Sequence, residues 1–235
     1  DSKAKTRGAQ AKASIQVSDR DLLRVGGDTL AYRLDDWWSP VGSSGSMCCN
    51  DFRNISDGQQ DRFGIYGEWE ASWSPEWLSL IGVRGDLVTS DAGSVQGYND
   101  TMQIWKADAA AFNARDRRRT DPHLDLTALV RYTPHAMVGF EAGYARKTRS
   151  ANLYERYVWS TNPMAALMNN FAGDGNGYVG DIDLKPEVAH TLSASIDLHD
   201  ADRSAWGVKA TGYVTRVHDY IDAQRCDFGQ CSRAN

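Results

Sequence analysis

The stretch from Asp121 to Ser150 alternates apolar and polar residues through two successive arms, and that pattern confines the chain to antiparallel sheet. Leu124, Leu126, Ala128, Val130 and Tyr132 alternate with Asp125, Thr127, Leu129 and Arg131. This is the period of two expected when successive side chains point to opposite faces. Thr133-Pro134-His135 breaks the pattern, and Val138, Phe140, Ala142 and Tyr144 then alternate with Gly139, Glu141, Gly143 and Ala145. Two antiparallel strands joined by a tight turn follow. Each arm runs for about 12 to 14 residues, against the 5 to 6 usual in globular sheets. Since roughly 9 to 11 residues of tilted strand cross the hydrocarbon of a bilayer, these arms are long enough to cross and project beyond it.

The pattern recurs along the chain. Ala9 to Val17 and a less regular run from Leu23 to Leu34, separated by Ser18-Asp19-Arg20, predict a first hairpin. Arg62 to Ser74 and Ile81 to Leu87, turned by Ser74-Pro75-Glu76, predict a second. The 121–150 unit is the third, and His190 to Leu198 with Trp206 to Val214 make the fourth, with a phase slip at Arg216 and Val217 that reads as a bulge. Between the hairpins lie the aperiodic stretches 35–60, 90–120 and 151–187. Connections therefore alternate short and long. Unstructured loops of that length count against a compact soluble domain, but short turns on one side and long loops on the other are the asymmetry of an outer-membrane barrel. The expected fold is all-β, an antiparallel meander of about eight long strands. Glu68, Glu70, Arg84, Asp86, Asp125, Arg131, Glu141, Asp197 and Lys209 would line a wet lumen. A soluble sandwich would have to turn the same residues outward.

Composition narrows the classes. With 31 acidic and 26 basic residues, a formal charge of -5 supplies no electrostatic footprint for nucleic acid. No run of apolar residues is long enough for a transmembrane helix, and residues 1–20 lack the apolar core of a signal peptide. Neither point bears on a barrel, whose alternating strands give a weak hydropathy signal. Eight Trp and ten Tyr against six Phe suit amphipathic rings at a membrane interface.

Two stretches go beyond pattern. RKTRSANLYERY, from Arg146 to Tyr157, is followed by GDIDLKPE, from Gly180 to Glu187, and then by an alternating strand. This resembles the signature of TonB-dependent outer-membrane receptors, with Asp181 standing where such receptors usually carry Asn. Pro186 can open a strand because its missing N–H falls at the start, and Glu187 then begins the inward face. The runs SANLYERYVWST, MAALMNNFAGDGNGYVGDIDLKPE and VHDYIDAQRC are most similar to the copper-receptor branch of that family. The resemblance implies a barrel of about 22 strands occluded by an N-terminal plug, located in the bacterial outer membrane and surrounded by its lipid. It also implies energy supplied through TonB and its inner-membrane complex by way of the plug. On that reading residues 1–235 are one partial transmembrane barrel domain, with the plug and the remaining strands absent. Ferric siderophore or cobalamin uptake is the alternative within the family, and a passive porin or an outer-membrane hydrolase the alternative outside it.

Candidate ligands follow from the chemistry of copper(I), a soft ion that prefers thioether and thiolate. Met47-Cys48-Cys49 falls in the first long loop, and Met164 and Met168 are spaced to share one face of a short helix. Apolar packing of the same methionines is the competing reading. Copper enters as the transported ion; no catalytic cofactor is expected. His135-x-Met137 has chelating spacing but lies at a short turn, the wrong end for capture. Cys226 and Cys231 are the favoured disulfide. Direct bonding of the adjacent Cys48 and Cys49 is disfavoured, leaving pairing with Cys226 or Cys231, or metal capture. Asp174 to Asp183 has the look of a calcium loop, yet Lys185 stands where a glutamate is needed, so a glycine-rich turn is the simpler reading. The charge run Arg115 to Arg119 reads as a solvated loop face. His123, His135, His190, His199 and His218 do not cluster, and no nucleophile elbow or phosphate-binding loop occurs. The chain is therefore read as not an enzyme.

Overall fold

The computed structural model describes residues 1–170 and 172–224. Eight antiparallel strands form one sheet in the order of the sequence. They are β1 (Ser2–Gln16), β2 (Asp21–Trp38), β3 (Phe52–Ser72), β4 (Trp77–Asp91), β5 (Arg119–His135), β6 (Val138–Arg149), β7 (Glu187–His199) and β8 (Gly207–His218). The meander is as expected, and among the described residues the sheet does not close on itself: there β1 pairs with β2 alone and β8 with β7 alone. Helices occur in the long connections, as α1 (Gln103–Asn113), α2 (Leu153–Tyr157) and α3 (Pro163–Met168).

Ladder register decides which residues share a face. Trp69 pairs with Ile81, Ile81 with Ala128, Ala128 with Tyr144, Tyr144 with Leu192 and Leu192 with Val214. Ile65, Val83, Leu126, Val130, Val138, Phe140, Ile196 and Val208 fall on this same side. Among the described residues no second sheet covers it: Phe63 is 60%, Ile65 59% and Leu192 58% exposed. A continuous apolar surface of that extent requires a non-aqueous partner. Toward the short turns it ends in a row of rings. Trp77 stacks on Tyr132 at 4.3 Å and Tyr132 on Phe140 at 6.4 Å, and Trp69 meets Trp73 edge-on at 6.0 Å. Such a girdle marks a membrane–water boundary. Trp105 and Trp159 depart from the interfacial reading, because both are buried.

The opposite face carries the charges. Arg24 bonds Glu68 at 2.7 Å and Glu70 at 2.8 Å. Asp28 receives Arg62 at 2.9 Å and Arg84 at 2.7 Å, while Arg84 Nε also donates to Asp86 at 2.7 Å. Arg131 pairs with Glu141 at 2.9 Å and Lys147 with Asp125 at 3.4 Å. Gly64 leaves room here for the Arg84 guanidinium and the Asp86 carboxylate, which a Cβ would displace.

Several boundaries correct the sequence reading. Thr133-Pro134-His135 lies within β5, and the turn is at Ala136-Met137. The register shifts between Tyr132 and His135, so Pro134 sits in a bulge where no ladder N–H is needed. No bulge occurs at Arg216, because β8 pairs without interruption from His199–Gly207 to Val188–His218. The apparent slip arises because the outward positions become Arg216 and His218 above Val214. The first loop is shorter than expected. β2 runs on to Trp38 and β3 begins at Phe52, both strands projecting beyond the apolar band, where alternation no longer has to separate lipid from water.

Candidate functional site

The close-packed core lies among the long connections. Phe52 stacks between Trp38 at 4.7 Å and Trp159 at 5.0 Å, and Trp105 meets it edge-on at 5.6 Å. Phe112, Tyr98, Leu153, Tyr157, Val158 and Ile182 complete this cluster. Its polar edges are satisfied, with Trp105 Nε1 donating to Ser46 O at 2.9 Å and Trp159 Nε1 to Arg53 O at 3.0 Å. Trp105, Ala109 and Phe112 recur at helical spacing in α1 and turn one face into the cluster. That spacing was the available signal in a stretch read as structureless. Leu34, on the inward face of β2, belongs to the cluster, and Gln60 on the same face of β3 donates to Ala151 O at 3.0 Å. The loop assembly therefore rests on the inner side of the strand ends, over the charged wall.

The motif around α2 fastens it there. Asn152 Oδ1 accepts from Glu155 N at 2.9 Å while Asn152 N donates to Glu155 at 2.7 Å, a capping box that satisfies two free donors. Arg156 is fully buried and pairs with Asp121 of β5 at 2.7 Å. Tyr157 Oη donates to Arg117 O at 2.8 Å, and burial pushes its phenol well above the ordinary range. Gly180 lies against the backbone of Arg156 and donates to Val158 O at 2.7 Å. Asp181 Oδ1 accepts from Asp183 N at 2.9 Å. An asparagine oxygen would do the same, so the departure from the family pattern preserves the turn.

The charge run is structural and not merely solvated. Arg117 donates to the carbonyls of Ala92, Phe112, Asn113 and Arg115, closing the end of α1. Arg115 and Arg119 reach Asp183 of the next long connection at 2.5 and 2.6 Å. The Arg119 guanidinium first, and Arg115 with it, holds the Asp183 carboxyl below its ordinary value. Asp174 is held down to about 2 by the Tyr178 hydroxyl and Asn176. It accepts from Tyr178 Oη at 2.6 Å and from Asn176 Nδ2 at 2.8 Å, between Gly173 and Gly175 at positive φ. This is the turn geometry expected of that stretch.

The soft-ligand candidates are partly gathered. Met47 and Met164 both pack against the loop core, and Met168, at the end of α3, is exposed. Cys48 and Cys49 are joined to each other in a disulfide, which corrects the expectation that neighbours would not bond. The pair sits in a loop whose turn sets Cys49 at a φ of 90°. In that form neither sulfur is a thiolate. Cys226 and Cys231 lie outside the described residues. Among the described residues, no three His, Cys, Asp or Glu side chains are grouped to hold a metal ion, and His135 ends β5 while Met137 lies in the short turn to β6.

Among solved structures, the chain is similar to the copper transporter OprC, at 17% identity and a TM-score of 0.64 over 92% of this chain and 30% of that one. It is likewise similar to the FrpB iron transporter from Neisseria meningitidis, at 14% identity and a TM-score of 0.60 over 92% and 28%. It thus spans less than a third of either. A search of curated proteins returned no match. At these identities the likeness establishes the fold. The family model described as TonB dependent receptor-like, beta-barrel matches residues 3–234. With the apolar outer face, the charged inner face and long loops at one end, this chain belongs to the TonB-dependent receptor β-barrels of the bacterial outer membrane.

Proposed function

We propose that the intact receptor takes up copper across the outer membrane, energised through TonB and its inner-membrane complex by way of a plug. The observation that carries this reading is that Met47 and Met164, from two different long connections, pack against one loop core. They bring thioether sulfurs to the extracellular mouth, with Met168 exposed one helical turn beyond Met164. Thioethers suit copper(I), and the copper-branch resemblance of the loop sequences supports the same ion. Cys48 and Cys49 join the set only when their disulfide is reduced. The ion is cargo, and the chain belongs to a family of transport receptors.

Copper accumulation under metal limitation tests the reading, with receptor abundance measured in parallel. Met164→Leu with Met168→Leu should reduce accumulation and leave abundance unchanged, because leucine preserves the apolar packing and removes the sulfur. Equal accumulation removes those two residues from the proposal. Unchanged copper accumulation on deletion of the whole gene, with loss of ferric-siderophore or cobalamin uptake, would replace copper by that cargo. Passive, TonB-independent flux would favour a porin.

A further inference from the structure

The disulfide between Cys48 and Cys49 has one hidden end and one open end. Cys48 is 3% exposed, whereas Cys49 faces solvent. The segment that carries them is pinned at several points without help from the bond. Val41 N donates to Met47 O at 2.8 Å, Asn50 N to Tyr98 O at 3.0 Å and Trp105 Nε1 to Ser46 O at 2.9 Å, while Met47 packs on the loop core. Opening the bond therefore leaves both sulfurs where they are presented and does not release the loop.

Exchange at a disulfide needs access to one sulfur and a stable place for the electron pair on the other. Cys49 offers the access, and burial shields Cys48 from direct attack. Cys48 offers the second condition, because Asn99 Nδ2 donates to its Sγ at 3.5 Å. The other end of that amide fixes its orientation: Asn99 Oδ1 accepts from Thr101 N at 2.9 Å and from Thr101 Oγ1 at 2.6 Å. Nδ2 is thereby turned to the sulfur, and a donor favours the thiolate over the thiol. The approach is acidic. Residues 39–52 contain no Lys or Arg, Asp51 lies two positions from Cys49, and Asn50 donates to Asp100 at 3.1 Å. Such a field selects a neutral or cationic thiol over an anionic one.

We propose that the Cys48–Cys49 disulfide is a thiol-exchange site at the extracellular mouth, entered at Cys49 by a small neutral or cationic thiol. The thiol gives its proton to water, and its thiolate attacks Cys49 Sγ. A bond forms between those two sulfurs, the bond between Cys49 and Cys48 breaks, and its electron pair leaves on Cys48 Sγ, where Asn99 donates to it. A second equivalent attacks the small thiol's sulfur in the mixed disulfide and releases Cys49 as thiolate. Two small thiols are then oxidised to their disulfide, and one protein disulfide is reduced. This chemistry is independent of the cargo. Only its consequence, the addition of two thiolates beside Met47, rests on the copper reading.

The test uses the intact receptor in detergent micelles without metal. Cysteamine or glutathione is supplied at equal thiolate concentration, free thiols are trapped with N-ethylmaleimide, and the adducts are mapped by peptide mass spectrometry. The early product should carry cysteamine on Cys49 and maleimide on Cys48, with cysteamine roughly three- to tenfold faster than glutathione. Asn99→Asp keeps the acceptor that Thr101 uses and removes the donor to Cys48, so it should slow exchange roughly three- to tenfold with hydrogen exchange in 41–50 unchanged. If that variant loosens 41–50, the position of the adduct and the ratio of the two thiols in the unaltered receptor decide. An adduct mainly on Cys48, no adduct on either sulfur, glutathione as fast as cysteamine, or an unchanged rate in an intact Asn99→Asp receptor overturns the proposal. So does recovery of Cys48 and Cys49 unbridged, or bridged to Cys226 or Cys231, before any thiol is added. No copper is present, so failure of the cargo reading leaves these outcomes untouched.

Discussion

Arg149 at the end of β6 and Glu187 at the start of β7 are ladder partners joined by an ion pair of 2.8 Å, although 38 residues separate them in sequence. Arg149 also bonds Glu155 at 3.0 Å, so one guanidinium closes the neck of the connection and holds α2 at its foot. The two halves of the family-like motif are thus the two sides of one corner.

Substitution of Val83 by Arg should destabilise the receptor by ~2–4 kcal/mol, because Val83 lies on the lipid face near mid-height of the band. Val130→Arg should cost only ~0–1 kcal/mol, since Val130 is one outward position from Tyr132 in the aromatic girdle and its guanidinium can reach water. Equilibrium unfolding from bilayers would measure both, and equal costs would misplace the band.

Loss of the Arg156 guanidinium leaves Asp121 buried without its partner. Arg156→Ala should cost about 3–5 kcal/mol in the loop assembly, while replacing both partners by Met and Leu should be close to neutral. Protease cleavage within 150–186 of the intact receptor would report the first change, and restoration of resistance in the double variant the second.

Trp105→Ala should open the loop core at a cost of about 3–5 kcal/mol, since the ring is buried against Phe52 and Tyr98 and its Nε1 bonds Ser46 O. The strands below it should be unaffected. Accelerated hydrogen exchange confined to the long connections, with unchanged heat-modifiable migration, is the expected result.

Acid should loosen the link between the second and third long connections. Asp183 has a folded pKa depressed by Arg119 and Arg115. Its contribution is therefore full above the unfolded value of about 3.9 and is lost as pH falls through the lower folded value. Protection of loop amides, taken relative to their intrinsic exchange at each pH, should fall as pH is lowered from about 4 toward about 2.5, and Asp183→Asn should show the reduced protection already at about pH 5. The carboxylate is largely exposed, so the effect will be screened by salt.

The sequence alone determined the barrel sheet. A lipid-facing strand must be apolar at every second residue, so the period of two in 62–74, 121–150 and 190–214 reports both the element and the face, and a short turn leaves a neighbouring strand only one antiparallel partner. Outside the bilayer that constraint lapses. Arg216 and His218 therefore read as a phase slip, and Phe52 to Gln60 as loop, though both are strand. The loop core was decided by tertiary structure, because Phe52 opens β3 while Trp105 and Trp159 come from two different long connections, and no periodicity links residues that far apart. Arg156 carried no sign in the sequence that it would be buried on Asp121, and Cys48 and Cys49 no sign that they would bond to each other, because each outcome depends on how the surrounding loops fold.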